Sequence, residues 1–244
     1  QPTGGARPYL SYSLTKPVWR CHSCQQEQQT SGDWIGYLMA RKRYTFLEAL
    51  QELAQAAGVT LTGVNQGQYQ TYLKQADLLE MAQAICLKTL AQDIKAVPVF
   101  EYLVNRGYSI ADIGNMELGA YVDRADLQKQ LLALGYTQQE IKDSGLLSKG
   151  FGEDYTLTML WRDPAGRPIG IVARCILPED EMKAKGLHKY SYSTGMAKDQ
   201  GMIGLTTARG SKQMILVEGV LDAIYLSSKG LPVISLGGTS LSDD

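Results

Sequence analysis

Apolar positions along this chain follow two periods, and the places where one gives way to the other mark its elements. Over residues 7–13, Pro8, Leu10 and Tyr12 alternate with Arg7, Tyr9, Ser11 and Ser13, the period of a half-exposed strand. Lys16-Pro17 turns the chain, and Val18-Trp19-Arg20 runs back into Cys21-His22-Ser23-Cys24. From Thr45 the period is helical. Thr45-x-x-Glu48 forms a capping box, and Phe46, Leu50, Leu53 and Ala57 line one apolar face, read as core. Residues 58–67 carry Gly58, Gly63, Asn65 and Gly67 with few large apolar side chains, which suits a linker. A long amphipathic helix follows, marked by Leu73, Ala76, Leu79, Ala82, Ile85 and Leu90. A shorter helix after Val97-Pro98 ends at Gly107, and Ser109-x-x-Asp112 and Thr137-x-x-Glu140 open two more. Residues 155–161 and 168–176 alternate as a hairpin around Arg162-Asp163-Pro164-Ala165-Gly166.

The last stretch has the sharpest pattern. Residues 214–217 read as a short buried strand, broken by Glu218-Gly219. Residues 221–229 then carry Leu221, Ile224 and Tyr225 at helical spacing, Gly230 closes the helix, and residues 233–236 form a second buried strand. This strand–helix–strand unit puts an acid where its first strand ends, the edge at which open α/β sheets bind ligands. Asp222, one helical turn on, faces the same crevice or caps the helix. Taken alone, such a unit is also an ordinary α/β crossover. The predicted organisation is residues 1–62, a linker over 63–72, then 73–209 and 210–244.

Composition changes this picture in two places. The chain has 244 residues, enough for one large or two modest domains, and no apolar run long enough to span a membrane. It shows no signal peptide and does not begin with Met, so a cytoplasmic location and a longer parent polypeptide are expected. The net charge of −1 argues against nucleic acid as a partner, but its distribution argues for it. Residues 1–45 hold Arg7, Lys16, Arg20, Arg41, Lys42 and Arg43 against two acids. Residues 162–198 hold Arg162, Arg167, Arg174, Lys183, Lys185, Lys189 and Lys198 against four. Two basic patches on an acidic remainder suit local phosphate contact. The Cys21-x-x-Cys24 pair could supply two corners of a zinc tetrahedron, act as a redox pair, or simply be buried.

Longer motifs decide between such alternatives. Glu218-Gly219-x-x-Asp222, followed by Ser235-Leu236-Gly237-Gly238-Thr239, resembles the first half of a TOPRIM domain, and more narrowly that of bacterial DnaG-type primases. Cys21-x-x-Cys24, Gly32-Asp33-Trp34-Ile35-x-x-Leu38 and the Thr45 to Val59 helix pattern are similar to the primase zinc ribbon. Tyr102-Leu103-x-x-Arg106-Gly107, a Leu118-Gly119-Ala120-Tyr121 strand, Gly166-Arg167-Pro168-Ile169-Gly170-x-x-x-Arg174 and His188-Lys189-Tyr190-Ser191-Tyr192-Ser193-Thr194 resemble further primase blocks. Met196-Ala197-Lys198 and Gly201-Met202-Ile203-Gly204-Leu205 match the end of the last block. The resemblance runs in order over residues 7–58 and 97–241. His188, Tyr192 and Gly195 depart from it. The family's first pair of ribbon ligands would fall before Gln1, and its Asp-x-Asp metal pair beyond Asp244; Asp243 and Asp244 read as helix-start acids.

The resemblance implies a mixed α+β and α/β fold: a partial zinc ribbon with helices, linked to a primase polymerase core ending in a TOPRIM-type βαβ unit. It implies a DNA primase that makes short RNA primers on single-stranded DNA from ribonucleoside triphosphates, beside a replicative helicase, separate or fused. Zn²⁺ would be held by Cys21 and Cys24 with upstream ligands. Glu218 would bind Mg²⁺ or Mn²⁺ or accept a proton, and Asp222 would support the fold or the outer metal shell. Arg106, Arg174, Lys189, Tyr190 and Lys198 would contact triphosphate or template, although Arg106 also suits a helix C-terminus. Tyr9, Trp19 and Arg20 would stack on and pair with template, with packing of Trp19 inside the ribbon as the competing use. The rival readings are a TOPRIM nuclease, which the ribbon and the Gly-Arg-x-Ile-Gly block disfavour, and a non-catalytic nucleic-acid-binding protein of primase fold.

Overall fold

The computed structural model describes residues 10–12, 18–21, 31–59, 61, 66–163, 166–208 and 211–237. The chain forms two compact units, residues 1–65 with 210–213, and residues 66–209 with 214–244.

In the first unit β1 (Leu10–Tyr12), β2 (Val18–Cys21) and β3 (Ser31–Asp33) make an antiparallel sheet in that order. Asp33 ends β3 and caps α1 (Trp34–Lys42), accepting from the Gly36 amide at 2.7 Å. The capping box of α2 (Phe46–Ala57) is complete: Glu48 accepts from the Thr45 amide at 2.7 Å and Thr45 accepts from the Glu48 amide at 3.3 Å. That box turns Glu48 inward, and the helix buries Glu48, Ala49 and Ala54. The Phe46–Leu50–Leu53–Ala57 stripe is therefore only half right as core. Leu50 and Leu53 are half-buried, but Ala57 is exposed and Phe46 is 58% exposed.

The second unit starts with α3 (Gln66–Gln92), which occupies the latter part of the expected 63–72 linker. Its first turns are the polar run Gln66-Gly67-Gln68-Tyr69-Gln70, without the apolar spacing that reveals the rest of the helix. A short 3-10 turn leads into α4 (Val97–Asn105), with Pro98 in its first turn where no amide partner is lost. α5 (Ile110–Asn115), β4 (Gly119–Ala120), α6 (Arg124–Ala133) and α7 (Gln138–Asp143) follow. α5 and α7 open on the two expected capping boxes. Then come β5 (Tyr155–Arg162), β6 (Pro168–Cys175), α8 (Glu179–Ala184), β7 (Tyr190–Tyr192), α9 (Leu205–Ala208), β8 (Ile215–Val217), α10 (Val220–Ser228) and β9 (Val233–Ser235).

The antiparallel sheet runs β4-β5-β6-β7, and both of its faces are covered. Leu157, Met159, Trp161 and Val172 pack into a core with Leu103 of α4, Ile113 of α5 and Val220 and Leu221 of α10. Leu160, Ile171, Ala173 and Cys175 pack with Leu78, Leu79 and Ala82 of α3. The hairpin strands are thus buried almost throughout, where alternation alone suggests one open face. The thiol of Cys86 in α3 sits in the second core, and burial pushes its pKa up to about 12.

β8 and β9 pair in parallel across α10. β9 is buried as expected, but β8 is not: Leu216 is 55% exposed, and Met214 and Ile215 are exposed as well. Among the described residues β8 has β9 as its sole strand partner, whereas β9 has a second neighbour. Residues 202–204 supply it. Met202 donates its amide to Arg162 O at 3.1 Å, and Ile203 and Ser235 exchange both amide bonds at 3.3 and 3.0 Å. Gly204, at φ +83°, passes so close that an added Cβ would lie 2.1 Å from Val233 O.

One ion pair ties α10 to α5. Lys229, just past the end of α10, bonds to Asp112, which also accepts from the Ser109 amide at 3.0 Å and hydroxyl at 2.7 Å. Lys229 first, then Ser109, hold the Asp112 carboxyl down at about 2. Because the folded value lies below the ordinary 3.8, this stabilisation is present above about pH 4 and lost as pH falls through about 2. Asp112→Asn should lower the urea midpoint at neutral pH and flatten its decline over that acidic window. An unchanged acid slope would remove this pair from the account of stability.

Candidate functional site

The site is built around a buried cation. Arg174 on β6 lies directly opposite Tyr190 on β7, so both side chains leave the same face of the sheet. α4 covers that face and adds Tyr102. Arg174 Nε donates to the Tyr102 hydroxyl at 2.6 Å and Nη1 to the Tyr190 hydroxyl at 2.7 Å. Its guanidinium carbon lies 5.4 and 5.0 Å from the two ring centres. Arg174 is only 6% exposed. An isolated guanidinium would not tolerate such burial; two phenol oxygens and two ring faces compensate for the lost water. Burial raises the Tyr190 pKa while Arg174 opposes the rise, so that hydroxyl stays protonated and acts as a neutral acceptor.

Arg106 follows Tyr102 by one turn of α4. Its Nη1 lies 3.4 Å from the same Tyr102 hydroxyl, and its guanidinium carbon 5.9 Å from the ring centre. Its Nη2 faces Asp222 Oδ1 at 3.9 Å. Asp222 sits in the first turn of α10, and Glu218 precedes that helix at the tip of β8. The acidic end of the βαβ unit therefore meets the Arg106–Tyr102–Arg174 cluster.

A second chain of contacts reaches the same strand tips. Lys198 Nζ lies 3.1 Å from the centre of the Tyr192 ring, and burial lowers its pKa. Tyr192 donates its hydroxyl to Gly237 O at 3.1 Å, and Trp161, edge-on to Tyr192, donates Nε1 to Lys198 O at 3.2 Å. The Gly237 amide donates to Ser235 Oγ at 3.2 Å, and that hydroxyl donates to Glu218 O at 3.0 Å. Ser235 thus clamps the backbone at Glu218 to the turn after β9. The Glu218 side chain is exposed and makes no hydrogen bond or ion pair among the described residues. Among those residues no group of three or more His, Cys, Asp or Glu is placed to hold a metal ion.

Several other expected site residues fall elsewhere. Lys189 is exposed just before β7; its carbonyl accepts from the Cys175 amide at 3.1 Å, and its charge helps to lower the Glu179 pKa, after the larger effect of Lys183. Trp19 is not an open stacking surface. It is 2% exposed, donates Nε1 to Asp33 O at 2.8 Å and packs edge-on to Tyr37, with Arg41 over its ring at 5.7 Å. The ring is taken up by packing between the small sheet and α1. Arg20 is exposed on β2. Tyr9, Cys24, Asp243 and Asp244 lie outside the described residues, as does the side chain of Cys21.

The basic count over 162–198 overstates the free charge. Arg162 pairs with Glu80 and Glu117, Arg167 with Asp163, Lys183 with Glu179 and Lys185 with Asp154. The sequence motifs contain Tyr102, Ser235 and Tyr192, but their spacing alone does not reveal the contacts that these three side chains make. The spacing of Tyr102 and Arg106 by four residues was the one available signal.

No protein-family model matches the chain. It is 26% identical over 253 residues to the DNA primase of Haemophilus influenzae, covering 97% of this chain and 42% of that protein. It is 27% identical over 251 residues to the DNA primase of Helicobacter pylori strain J99 (96% and 41%) and 28% identical over 244 residues to that of Deinococcus radiodurans (94% and 40%). The chain thus spans about two fifths of the length of the curated relatives it matches. The zinc-binding and RNA polymerase domains of the Aquifex aeolicus primase superpose with a TM-score of 0.55 at 23% identity, covering 98% of this chain and 59% of that one. A DnaG primase catalytic domain bound to single-stranded DNA gives 0.56 at 23% identity, covering 73% and 57%. The homologues of this chain are DnaG-type DNA primases, and its mixed helix-and-sheet fold is the one seen in primase RNA polymerase domains.

Tyr192→Phe keeps the ring beneath Lys198 and removes only the bond to Gly237. It should cost about 0.5–1.5 kcal/mol of stability and speed amide exchange at 235–237 more than elsewhere in the unit. Uniform exchange, or none above wild type, would show that Tyr192 does not anchor this turn.

Proposed function

We propose that this chain is the template-binding and polymerase portion of a DNA primase, which copies single-stranded DNA into short RNA primers from ribonucleoside triphosphates. The observation that carries the reading is the meeting of Asp222 with Arg106, and through Tyr102 with Arg174, beside the tip that bears Glu218. Nucleotidyl transfer needs this pairing of charges: cations to hold polyphosphate, and a carboxylate close by for a divalent ion. Curated primases are 25–28% identical to this chain over nearly its whole length, which supports the same reading.

In this scheme Arg106, Arg174, Lys189 and Lys198 neutralise triphosphate or template phosphates, and Tyr190 fixes the direction of Arg174. The Glu218 carboxylate, exposed and without a protein partner among the described residues, suits a hard divalent cation that keeps part of its water shell. Mg²⁺ or Mn²⁺ bound there would supply Lewis-acid activation of the 3′-hydroxyl and stabilise the pyrophosphate leaving group. Glu218 either ligates that ion or takes up the hydroxyl proton. Asp222, paired with Arg106, sets the position of that arginine and acts in the outer shell. Cys21 and Cys24 contribute to a zinc site completed by upstream ligands, and Arg20 on the same sheet meets template. A replicative helicase is the natural partner of such an enzyme.

Full-length protein with Mg²⁺, single-stranded DNA and all four ribonucleotides should yield RNA primers. Glu218→Gln should lower the yield about 100-fold or more with the unfolding midpoint unchanged. Cleavage of the DNA in place of primer synthesis would replace this reading with a nuclease, and undiminished priming by the variant would remove Glu218 from the chemistry.

A further inference from the structure

Two guanidinium groups repel one another, and Arg106, at the exposed end of α4, has solvent to turn into. Instead it shares one phenol with Arg174. Both arginines donate to the Tyr102 hydroxyl, at 2.6 and 3.4 Å, and both guanidinium carbons lie within 6 Å of the Tyr102 ring centre, at 5.4 and 5.9 Å. A phenol oxygen has lone pairs for two donors, and the ring face attracts cations. The two donor nitrogens are therefore no further apart than these two bonds allow.

We propose that Tyr102 is a positioning residue that pairs Arg106 with Arg174 to form a single polyphosphate-binding centre. This rests on the primase reading above and adds to it a residue that touches neither substrate nor metal. Arg174 commits Nε to Tyr102 and Nη1 to Tyr190, which leaves Nη2 as its unassigned fork position. Arg106 commits Nη1 weakly to Tyr102, also interacts with the Tyr108 side chain, and faces Asp222 at 3.9 Å, a contact that an incoming phosphate oxygen can replace. Two forks held at fixed spacing match oxygens on one phosphate or on adjacent phosphates. Two unlinked arginines would each lose more side-chain freedom on binding. The i,i+4 step from Tyr102 to Arg106 and the β6–β7 register that aligns Arg174 with Tyr190 are the two local geometries that create the pair.

Tyr102→Phe retains the ring and deletes the shared acceptor. In the full-length protein it should raise the Kd for tripolyphosphate, measured by calorimetry, about tenfold. The KM for ribonucleoside triphosphate should rise in parallel with kcat within about twofold, the signature of lost ground-state binding. In an Arg174→Gln background the same change should have no further effect on Kd, because the tyrosine acts through that arginine. Unchanged tripolyphosphate binding by Tyr102→Phe, or an equal loss in both backgrounds, would overturn the proposal, whether or not the wild type makes primers. A wild type that binds tripolyphosphate as proposed but makes no primers would overturn the primase reading alone. Should Tyr102→Phe fold poorly, Tyr190→Phe serves as the comparison. It removes the other acceptor of Arg174, leaves Arg106 untouched and should give the smaller loss of the two; an equal or larger loss would also overturn the pairing.

Discussion

Much of the second unit follows from the need to keep Arg174 charged in a nearly dry place. A strand residue facing a helix-covered core is normally apolar. Here the sheet presents a guanidinium, and the surrounding elements supply its partners: β7 gives one phenol, α4 another, and the register between β6 and β7 decides which residues meet. Such an arrangement adds little to net stability, since desolvation offsets most of the attraction. Its effect is to define geometry. A cation with two of its donor nitrogens engaged by rigid rings has few rotamers left, and Arg106, Asp222 and α10 are arranged around it.

The same logic explains the aromatic content of this face. Tyr102, Tyr190 and Tyr192 each present a ring to a cation and a hydroxyl to a donor or carbonyl. Each therefore serves as apolar packing on the sheet side and polar support on the other. Tyr192, one of the positions where the chain departs from the primase motifs, fits this pattern. Its ring lies against Trp161 and beneath Lys198, and its hydroxyl holds the turn at Gly237.

Local signals in the sequence transferred well to the structure. The capping boxes at Thr45, Ser109 and Thr137 each start a helix, and Gly107 and Gly230 both adopt the left-handed conformation just past the end of one. Where the reading failed, the deciding partner was remote in sequence. The polar start of α3 carries no periodicity of its own, so it read as linker. The exposure of Leu216 and the burial of Val233 depend on which strand has residues 202–204 beside it, and no run of residues within either strand reports that. For the site, residue types were legible and their states were not. Arg162 and Arg174 look alike in the chain, yet one is neutralised by Glu80 and Glu117 while the other rests between phenols.

The close pass of Gly204 against β9 has a mechanical consequence. The segment from Met202 to Gly204 bonds to the end of β5 on one side and to β9 on the other, and so acts as a rivet between an antiparallel layer and a parallel one. Sliding one layer past the other would shear those few amide bonds first. Strain applied to the strand pair that carries Glu218 is therefore transmitted straight into the layer that carries Arg174. The strand pair that carries Glu218 and the sheet that carries Arg174 are thereby joined through the main chain itself.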